Sequence, residues 1–183
     1  MPTRYAGGQW QSPEHDEAMA VSGTWRPMRA HDMAAVKAIS DAVHGRYTED
    51  EAIYAERLSL HPAGCFVFEE AGRVLGYLIA HPWQAGGVPA FNARLGAIPE
   101  KPGSYYLHDL ALLPDARGSG AGRAALALIV AQARSEGLGE IWLTAVNGAD
   151  RYWASQGFEA VEAPDPAGYD ETCRRMNMRV PTA

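Results

Sequence analysis

Cysteine, basic charge and long apolar runs are all scarce in this sequence, and each scarcity argues against a class of protein. The 183 residues include two cysteines, without metal-ligand or CxxC spacing, which argues against a disulfide-stapled scaffold. No apolar run approaches the roughly 20 residues that cross a bilayer. The net charge of −6 argues against a general nucleic-acid binder. We expect a cytoplasmic protein with no metal and with neither a nucleic-acid nor a membrane partner.

The composition suits a single soluble domain. Hydrophobic residues make up 47% of the chain and charged residues 21%, as in ordinary globular proteins. Residues 1–22 are polar and lack periodicity, which predicts a loose N-terminal tail. Residues 23–183 are predicted to form one domain, long enough to bury a core without metals or disulfides.

Hydrophobic periodicity and turn signals predict a mixed α/β fold, with hairpins first and strand–helix–strand units later. A helix is expected between Asp32 and Gly45, and a second from Glu49 to Leu60, begun by a capping box of Thr48 and Glu51. Two further helices are expected, one ended by Gly137 and one over 149–156. The predicted strands are 25–28, 65–69, 74–80, 105–113, 141–146, 158–161 and 173–180.

Two segments carry open alternatives. The connection over residues 82–103 is unusually long, and such connections are often functional. Its Trp83 and Phe91 either pack over a pocket or anchor the loop. The acidic run Glu49 to Glu51 is expected to complement a helix dipole, with attraction of a cationic substrate as the alternative. His31, His44, His61 and His81 lack metal spacing and are predicted to be surface or turn residues.

A glycine-rich loop between an apolar strand and a helix predicts an anion site. Glycines at 118, 120 and 122 let the backbone turn tightly, and the helix start adds positive dipole character. The loop is not a nucleotide P-loop, because Gly122 is followed by Arg123 and Ala124 rather than Lys and Ser or Thr. It also does not match the Rossmann fingerprint, because its spacing is GxGxG rather than GxGxxG and it does not lie in the first βα turn of the chain.

The pattern Arg117-x-x-Gly120-x-Gly122 resembles the acyl-CoA loop of the GNAT-type N-acetyltransferase superfamily. The segment Asn147-x-x-x-x-Tyr152-Trp153-x-x-x-Gly157-Phe158 resembles that family's second cofactor-contacting block, and the resemblance covers roughly residues 24–180. It implies one GNAT-like domain with a splayed central sheet flanked by helices, and acetyl-CoA as co-substrate. The implied cofactor-binding residues are Leu110, Ala111, Leu112, Arg117, Gly118, Ser119, Gly120, Ala121, Gly122, Asn147 and Trp153.

The resemblance also suggests candidates for the chemistry. The strand Tyr106 to Leu112 resembles arylalkylamine N-acetyltransferases, which carry His-x-His where this chain has Tyr106 and His108. His108 is the predicted general base, since imidazole titrates near neutrality. Asp109 is expected to face away from His108 in a structural pairing. The alternative is a kink that brings both into one cleft, where Asp109 serves as a second base or an ammonium site. Trp153 replaces the tyrosine that protonates the leaving thiolate in the family, so either Tyr152, another tyrosine or water supplies that proton, or the thiolate leaves unaided.

The expected function is transfer of an acetyl group from acetyl-CoA to a primary amine of a small molecule, such as an arylalkylamine or a polyamine. Two alternatives remain open at this point: a protein or peptide N-acetyltransferase, and a non-catalytic acyl-CoA-binding module. The expected partner is a small-molecule amine, and a homodimer is left open.

Overall fold

The computed structural model describes residues 23–162 and 168–181. The tail predicted for residues 1–22 lies outside this range. Within the described ranges the chain forms seven strands and four α-helices, with four short 3-10 helices between them. The strands are β1 (Thr24–Pro27), β2 (Cys65–Glu70), β3 (Arg73–Trp83), β4 (Ser104–Leu112), β5 (Glu140–Ala145), β6 (Glu159–Ala160) and β7 (Arg174–Arg179). The helices are α1 (Met33–His44), α2 (Glu51–Leu60), α3 (Ala121–Ser135) and α4 (Asp150–Ser155).

One mixed sheet joins the strands in the order β1-β2-β3-β4-β5-β7-β6, and its central pair opens into a gap. Strands β4 and β5 run parallel, and their pairing ends where Leu107 meets Leu143. Beyond that point β4 continues to Leu112 against β3, and β5 continues to Ala145 against β7. The predicted splayed central sheet is therefore confirmed.

Helices cover both faces of the sheet because alternate strand residues point to opposite sides. On β3, Leu78 packs in one buried cluster with Ile129 of α3, whereas its neighbour Ile79 packs in another with Val36 of α1. The two cores place α1 and α3 on opposite faces. The gap between β4 and β5 consequently opens between helices rather than at an edge of the sheet.

A β-bulge in β4 changes the direction of the side chains beside this gap. Ile79 pairs with Asp109 and Ala80 pairs with Leu107, so His108 is an extra residue without an opposing partner. Regular alternation predicted that His108 and Asp109 would face opposite sides. The bulge overturns that expectation, because both side chains line one cavity.

The predicted capping box before α2 is wrong. The helix begins at Glu51 and has no side-chain cap, and Thr48 instead donates a hydrogen bond to Asp41 at 2.8 Å. Glu49 thus precedes the helix in extended chain, where its carboxylate is free to turn inward. The long connection is also slightly shorter than predicted, since β3 continues through Trp83.

Candidate active site

The glycine loop presents unpaired backbone amides at the start of α3. Gly118 and Gly120 have φ of 79° and 89°, a conformation that glycine adopts without strain. Across the described residues, no hydrogen-bond acceptor pairs with the amides of Gly118, Ser119, Gly120, Gly122 or Arg123. The amide of Arg117 is not available, because it donates to Pro114 O at 3.0 Å. Such a nest at a helix start can hold an anion such as a diphosphate.

A groove of about 820 Å³, here called the loop groove, runs from this nest along β4. Leu110 and Leu112 line it, and within the described chain no strand pairs with the edge of β4 that faces it. Tyr152 also lines the loop groove, and a Cβ added at Gly122 would lie 2.4 Å from its hydroxyl oxygen. A residue with a side chain at position 122 would therefore collide with the Tyr152 hydroxyl, and glycine avoids this collision.

A second cavity of about 340 Å³, here called the inner cavity, continues from the loop groove into the splay. Both are lined by Val43, Leu110, Arg117, Ala149 and Trp153, so they form one continuous trench. The inner cavity adds a set of ionisable side chains and a set of aromatic ones. The ionisable side chains are His44, Glu49, His108 and Asp109. The aromatic side chains are Tyr47, Phe91 and Tyr169.

His108 forms a buried pair with Glu49 in the inner cavity. Its Nε2 lies 2.6 Å from Glu49 Oε2, and the two side chains are 2% and 5% exposed. The other carboxylate oxygen accepts a hydrogen bond of 2.6 Å from the amide of Asn92. Because an ionised carboxylate only accepts hydrogen bonds, Glu49 holds the proton of His108 on Nε2. His108 Nδ1, which is buried without a partner in the described part of the chain, is left as the basic atom.

Asp109 forms a second pair, with His44. Its Oδ1 lies 2.6 Å from His44 Nε2, and its Oδ2 accepts a hydrogen bond of 2.5 Å from the Tyr77 hydroxyl. Burial favours the neutral carboxyl, but His44 and Tyr77 stabilise the carboxylate and lower the pKa of Asp109. Burial likewise opposes charge on His44, but the facing Asp109 carboxylate outweighs it and raises the pKa of His44. The inner cavity thus contains an ion pair beside the His108–Glu49 pair.

Several of these positions were missed by sequence reasoning. Glu49 was expected to complement a helix dipole, with attraction of a cationic substrate as the alternative, and His44 and His81 were expected to be surface or turn residues. His81 is instead fully buried, with its ring centroid 5.8 Å from that of His108. Burial, and after it the neighbouring His108, lowers the pKa of His81 well below its usual value, so the ring is neutral. Of the four histidines predicted to be surface or turn residues, which also include His61, only His31 is largely exposed.

The remaining expectations concern aromatic residues. Phe91 lines the inner cavity and packs edge-on against Tyr169, whereas Trp83 packs on His81 at the end of β3. Trp153 is 8% exposed, belongs to the α3-side core and lines both the loop groove and the inner cavity. Tyr152, by contrast, lines only the loop groove.

Asn147, which the resemblance marks as cofactor-binding, lies where the β5–α4 connection meets α1. It lines the inner cavity, and its side-chain amide donates to His44 O at 3.2 Å. This contact ties the β5–α4 connection to the last turn of α1. Asn147 therefore stands at the mouth of the splay, next to the ion pair of His44 and Asp109.

Comparison with known proteins identifies the family. A profile of the Acetyltransferase (GNAT) family matches residues 29–158, which is more than half of the chain. The chain belongs to the GNAT acetyltransferase family. A search of curated proteins finds no match.

Within the described residues, no helix is long and apolar enough to span a bilayer, and no group of three or more His, Cys, Asp or Glu side chains is arranged to hold a metal.

Solved structures of GNAT proteins share the fold at low identity. The loading GNATL domain of CurA from Lyngbya majuscula has a TM-score of 0.75 and 13% identity, covering 86% of this chain and 98% of that one. The ribosomal-protein-S18-alanine N-acetyltransferase from Escherichia coli has a TM-score of 0.60 and 19% identity, covering 88% and 96%. N-acetylglutamate synthase from Neisseria gonorrhoeae, complexed with coenzyme A and N-acetyl-glutamate, has a TM-score of 0.65 and 15% identity, covering 87% and 35%.

These neighbours differ in what they act on, as their names state, so the shared fold does not determine the acceptor. The GNAT fold does identify this chain as an acyltransferase by family, and GNAT neighbours bind coenzyme A. The acceptor has to be inferred from the side chains of the inner cavity.

Proposed function

We propose that this GNAT protein transfers the acetyl group of acetyl-CoA to the primary amine of a small molecule. One observation supports this most strongly: a continuous trench leads from the free amides of the glycine loop, through the splay, to the His108–Glu49 pair. Acetyl-CoA suits the trench, because the loop amides would bind its diphosphate and the unpaired edge of Leu110 to Leu112 its pantetheine arm.

The reaction requires an uncharged amine beside the thioester. In this proposal the His108–Glu49 pair accepts the proton from the ammonium group. The proton passes to Nδ1, the nitrogen that Glu49 leaves free, and the Glu49 carboxylate stabilises the imidazolium that forms. The neutral amine then attacks the thioester carbon, the C–N bond forms and the C–S bond breaks.

The lining of the inner cavity favours a compact cation with an apolar body. Glu49 supplies negative charge, while Phe91, Tyr47 and Tyr169 supply aromatic surface on the same cavity. Phe91 lies 5.5 Å from Tyr169 and 6.1 Å from Tyr47 between ring centroids. A volume of about 340 Å³ is at the small end for ligand sites, and it suits an arylalkylamine.

The connection between β3 and β4 supports a small acceptor over a polypeptide. It is fastened across α2, since Arg57 donates to Ala93 O at 2.7 Å and Glu56 accepts from the amide of Leu95 at 2.9 Å. Arg57 is fully buried by this arrangement. A fixed connection carrying Phe91 limits the space that a peptide would need next to the inner cavity.

The test is release of free CoA thiol from acetyl-CoA with a panel of acceptors. The panel contains arylalkylamines, polyamines and peptides with free N-termini or lysines. We expect kcat/KM to be highest for arylalkylamines and at least tenfold lower for peptides. A preference for peptides would instead support protein acetylation. Binding of acetyl-CoA by calorimetry without turnover on any acceptor would overturn the proposal in favour of a non-catalytic acyl-CoA-binding module.

A further inference from the structure

The thiolate that leaves coenzyme A needs a proton donor, and the position expected to provide it is filled by tryptophan. The indole N–H of Trp153 does not ionise usefully. The adjacent Tyr152 lines the loop groove rather than the inner cavity, and its hydroxyl packs over Gly122. A donor for this enzyme therefore has to be sought among the groups that line the inner cavity.

His44 is the histidine next to the junction of the loop groove and the inner cavity, a junction that Arg117 also lines. It closes the last turn of α1, directly after Val43, which lines both. Trp153 and Ala149 also line both, and they face the same junction from the other side of the splay. The acyl thioester passes through this junction if its diphosphate binds at the loop and its acetyl group reaches His108.

The contact with Asp109 leaves one nitrogen of His44 free. Nε2 is buried and lies 2.6 Å from Asp109 Oδ1, while the side chain as a whole keeps 12% exposure. No side chain or carbonyl in the described ranges accepts a hydrogen bond from Nδ1. The imidazolium is therefore paired with the Asp109 carboxylate through Nε2 by charge and distance, and its Nδ1 has no partner among the described residues while the residue lines the inner cavity.

We propose that His44, positioned by Asp109, is the catalytic residue that protonates the thiolate of coenzyme A. The inference rests on the proposed acetyltransferase function. The amine nitrogen loses two protons in the reaction, one before attack and one after the C–N bond forms. As the C–S bond breaks, its electron pair takes the Nδ1 proton of His44 to give the thiol. One proton from the amine restores His44, and the other leaves to solvent, so the step needs no further reactant.

The other groups facing the inner cavity are less suitable donors. Tyr47 and Tyr169 are phenols, and burial raises the pKa of Tyr169 further above its ordinary value. Arg117 remains charged and does not release a proton at neutral pH. His108 is bound to Glu49 and is needed as the acceptor from the amine. Asp109 and Glu49 are the anions that face His44, and both stabilise its charged form.

The first experiment measures the pH dependence of kcat for His44→Gln. The wild-type enzyme is expected to lose activity at high pH as His44 deprotonates. His44→Gln should lower kcat about 100-fold, the usual contribution of a positioned acid, and should remove this basic limb. KM for acetyl-CoA and for the amine should change less than threefold. His31→Gln, which removes an exposed histidine elsewhere on the protein, is the control and should match the wild type.

The second experiment separates proton donation from a purely structural role. Asp109→Asn removes the anion that stabilises the charged form of His44, so the basic limb should move to lower pH. The NMR titration of the His44 ring in the resting protein should show a pKa above 6.5 that falls in Asp109→Asn. This titration needs no turnover and therefore tests the pair even if the acceptor is misassigned.

The outcomes distinguish the inference from the proposed function. Loss of the basic limb in Tyr152→Phe with its retention in His44→Gln would overturn the role of His44 and leave the acetyltransferase intact. A His44 ring that is neutral at pH 7 by NMR would overturn it too. If Asp109→Asn raises only the KM of the amine, Asp109 is an ammonium site and the inference fails. Absence of turnover by the wild-type protein on every acceptor would overturn the function itself.

Discussion

The loop groove and the inner cavity are built by different means. The anion-binding end of the loop groove depends on one short segment, in which backbone amides and two left-handed glycines form the binding surface. The inner cavity depends on side chains from α1, from the segment before α2, from the β3–β4 connection and from the bulge in β4. A local backbone motif is visible in sequence, whereas a cavity assembled from distant side chains requires the fold.

The same difference separates what each region should do. Backbone amides carry no titratable charge, so binding in the loop groove should depend little on pH between 5 and 9. The inner cavity contains two histidine–carboxylate pairs, so its chemistry should depend strongly on pH. The difference between the two regions can therefore be tested by substitution. Changes in the loop groove should affect acetyl-CoA binding alone, and changes in the inner cavity should affect pH-dependent turnover alone.

The largest effect is expected for Gly120→Asp. The change places a carboxylate among the free amides and forces a residue with φ of 89° to carry a side chain. Affinity for acetyl-CoA, measured by calorimetry, should fall at least about 100-fold, since the site would be filled by a like charge. The fold should be retained, as judged by circular dichroism.

Gly137→Asp is the matched control for Gly120→Asp. Gly137 has φ of 70°, lies beyond the other end of α3, and a Cβ there would also meet nothing within 4 Å. It imposes similar backbone strain without approaching the loop groove. Equal loss of acetyl-CoA affinity in the two variants would show that strain, rather than the nest, explains the effect, and the anion site would be wrong.

The next largest effect is expected at the His108–Glu49 pair. His108→Ala should lower kcat by about 100- to 1,000-fold and flatten the acidic limb of the pH–rate profile, because the proton acceptor is lost. Glu49→Gln should have a smaller effect, since the amide still fills the space but no longer stabilises the imidazolium. The affinity for acetyl-CoA should be unchanged in both variants. Glu51→Gln removes a neighbouring exposed carboxylate outside the inner cavity and is the control. A retained acidic limb in His108→Ala would exclude His108 as the base.

Most of the fold could be predicted from sequence because its signals are local. The apolar positions of α1 and α3 repeat at helical spacing, and Gly45 and Gly137 follow their ends with positive φ. The hairpin of β2 and β3 was predicted from two β-rich runs around Gly72. The glycine loop was recognisable for the same reason, since its conformation depends on residues that are contiguous in the chain.

The active site could be predicted only in part. His108 was selected from its strand, but the bulge that turns Asp109 into the same cavity is set by register against β3, which no local pattern reports. Thr48 and Glu51 satisfied the capping-box pattern. That local signal placed Glu49 inside the predicted helix, so its role in the site was missed. Its pairing with His108 spans 59 positions and depends on how α2 packs against the sheet. His44 lies at a helix end, a position that by itself resembles an ordinary surface residue.

A smaller effect is expected on stability, from the pair of His44 and Asp109. His44 has a raised pKa in the folded protein, so its contribution is complete below about pH 6.5 and is lost as pH rises through the folded pKa. Asp109 has a lowered pKa, so its contribution is lost as pH falls below about 4. Between pH 7 and pH 9 the Tm of the wild type should fall about 2–4 °C more than that of Asp109→Asn, equivalent to roughly 1 kcal/mol. Parallel Tm curves would show that the pair is not ionised in the folded state.

The smallest effect is expected at Asn92, which tests how tightly the β3–β4 connection holds Glu49. Asn92 adopts φ of 51°, and this conformation directs its amide to Glu49 at 2.6 Å. Asn92→Gly and Asn92→Ala both lose the side-chain contacts with Asp50, but only alanine is strained at this φ. Both should destabilise the protein by about 1 kcal/mol. Alanine does so through strain at this φ, and glycine through its greater conformational freedom in the unfolded chain.

The two Asn92 variants should differ in turnover. The strained alanine should loosen the amide on Glu49 and raise KM for the amine about threefold, the effect of weakening one hydrogen bond, while glycine keeps the wild-type value. The affinity for acetyl-CoA should not change in either, because the loop groove is formed elsewhere. If alanine and glycine raise KM equally, the side-chain contacts with Asp50 hold the connection, and the backbone conformation at residue 92 does not control the position of Glu49.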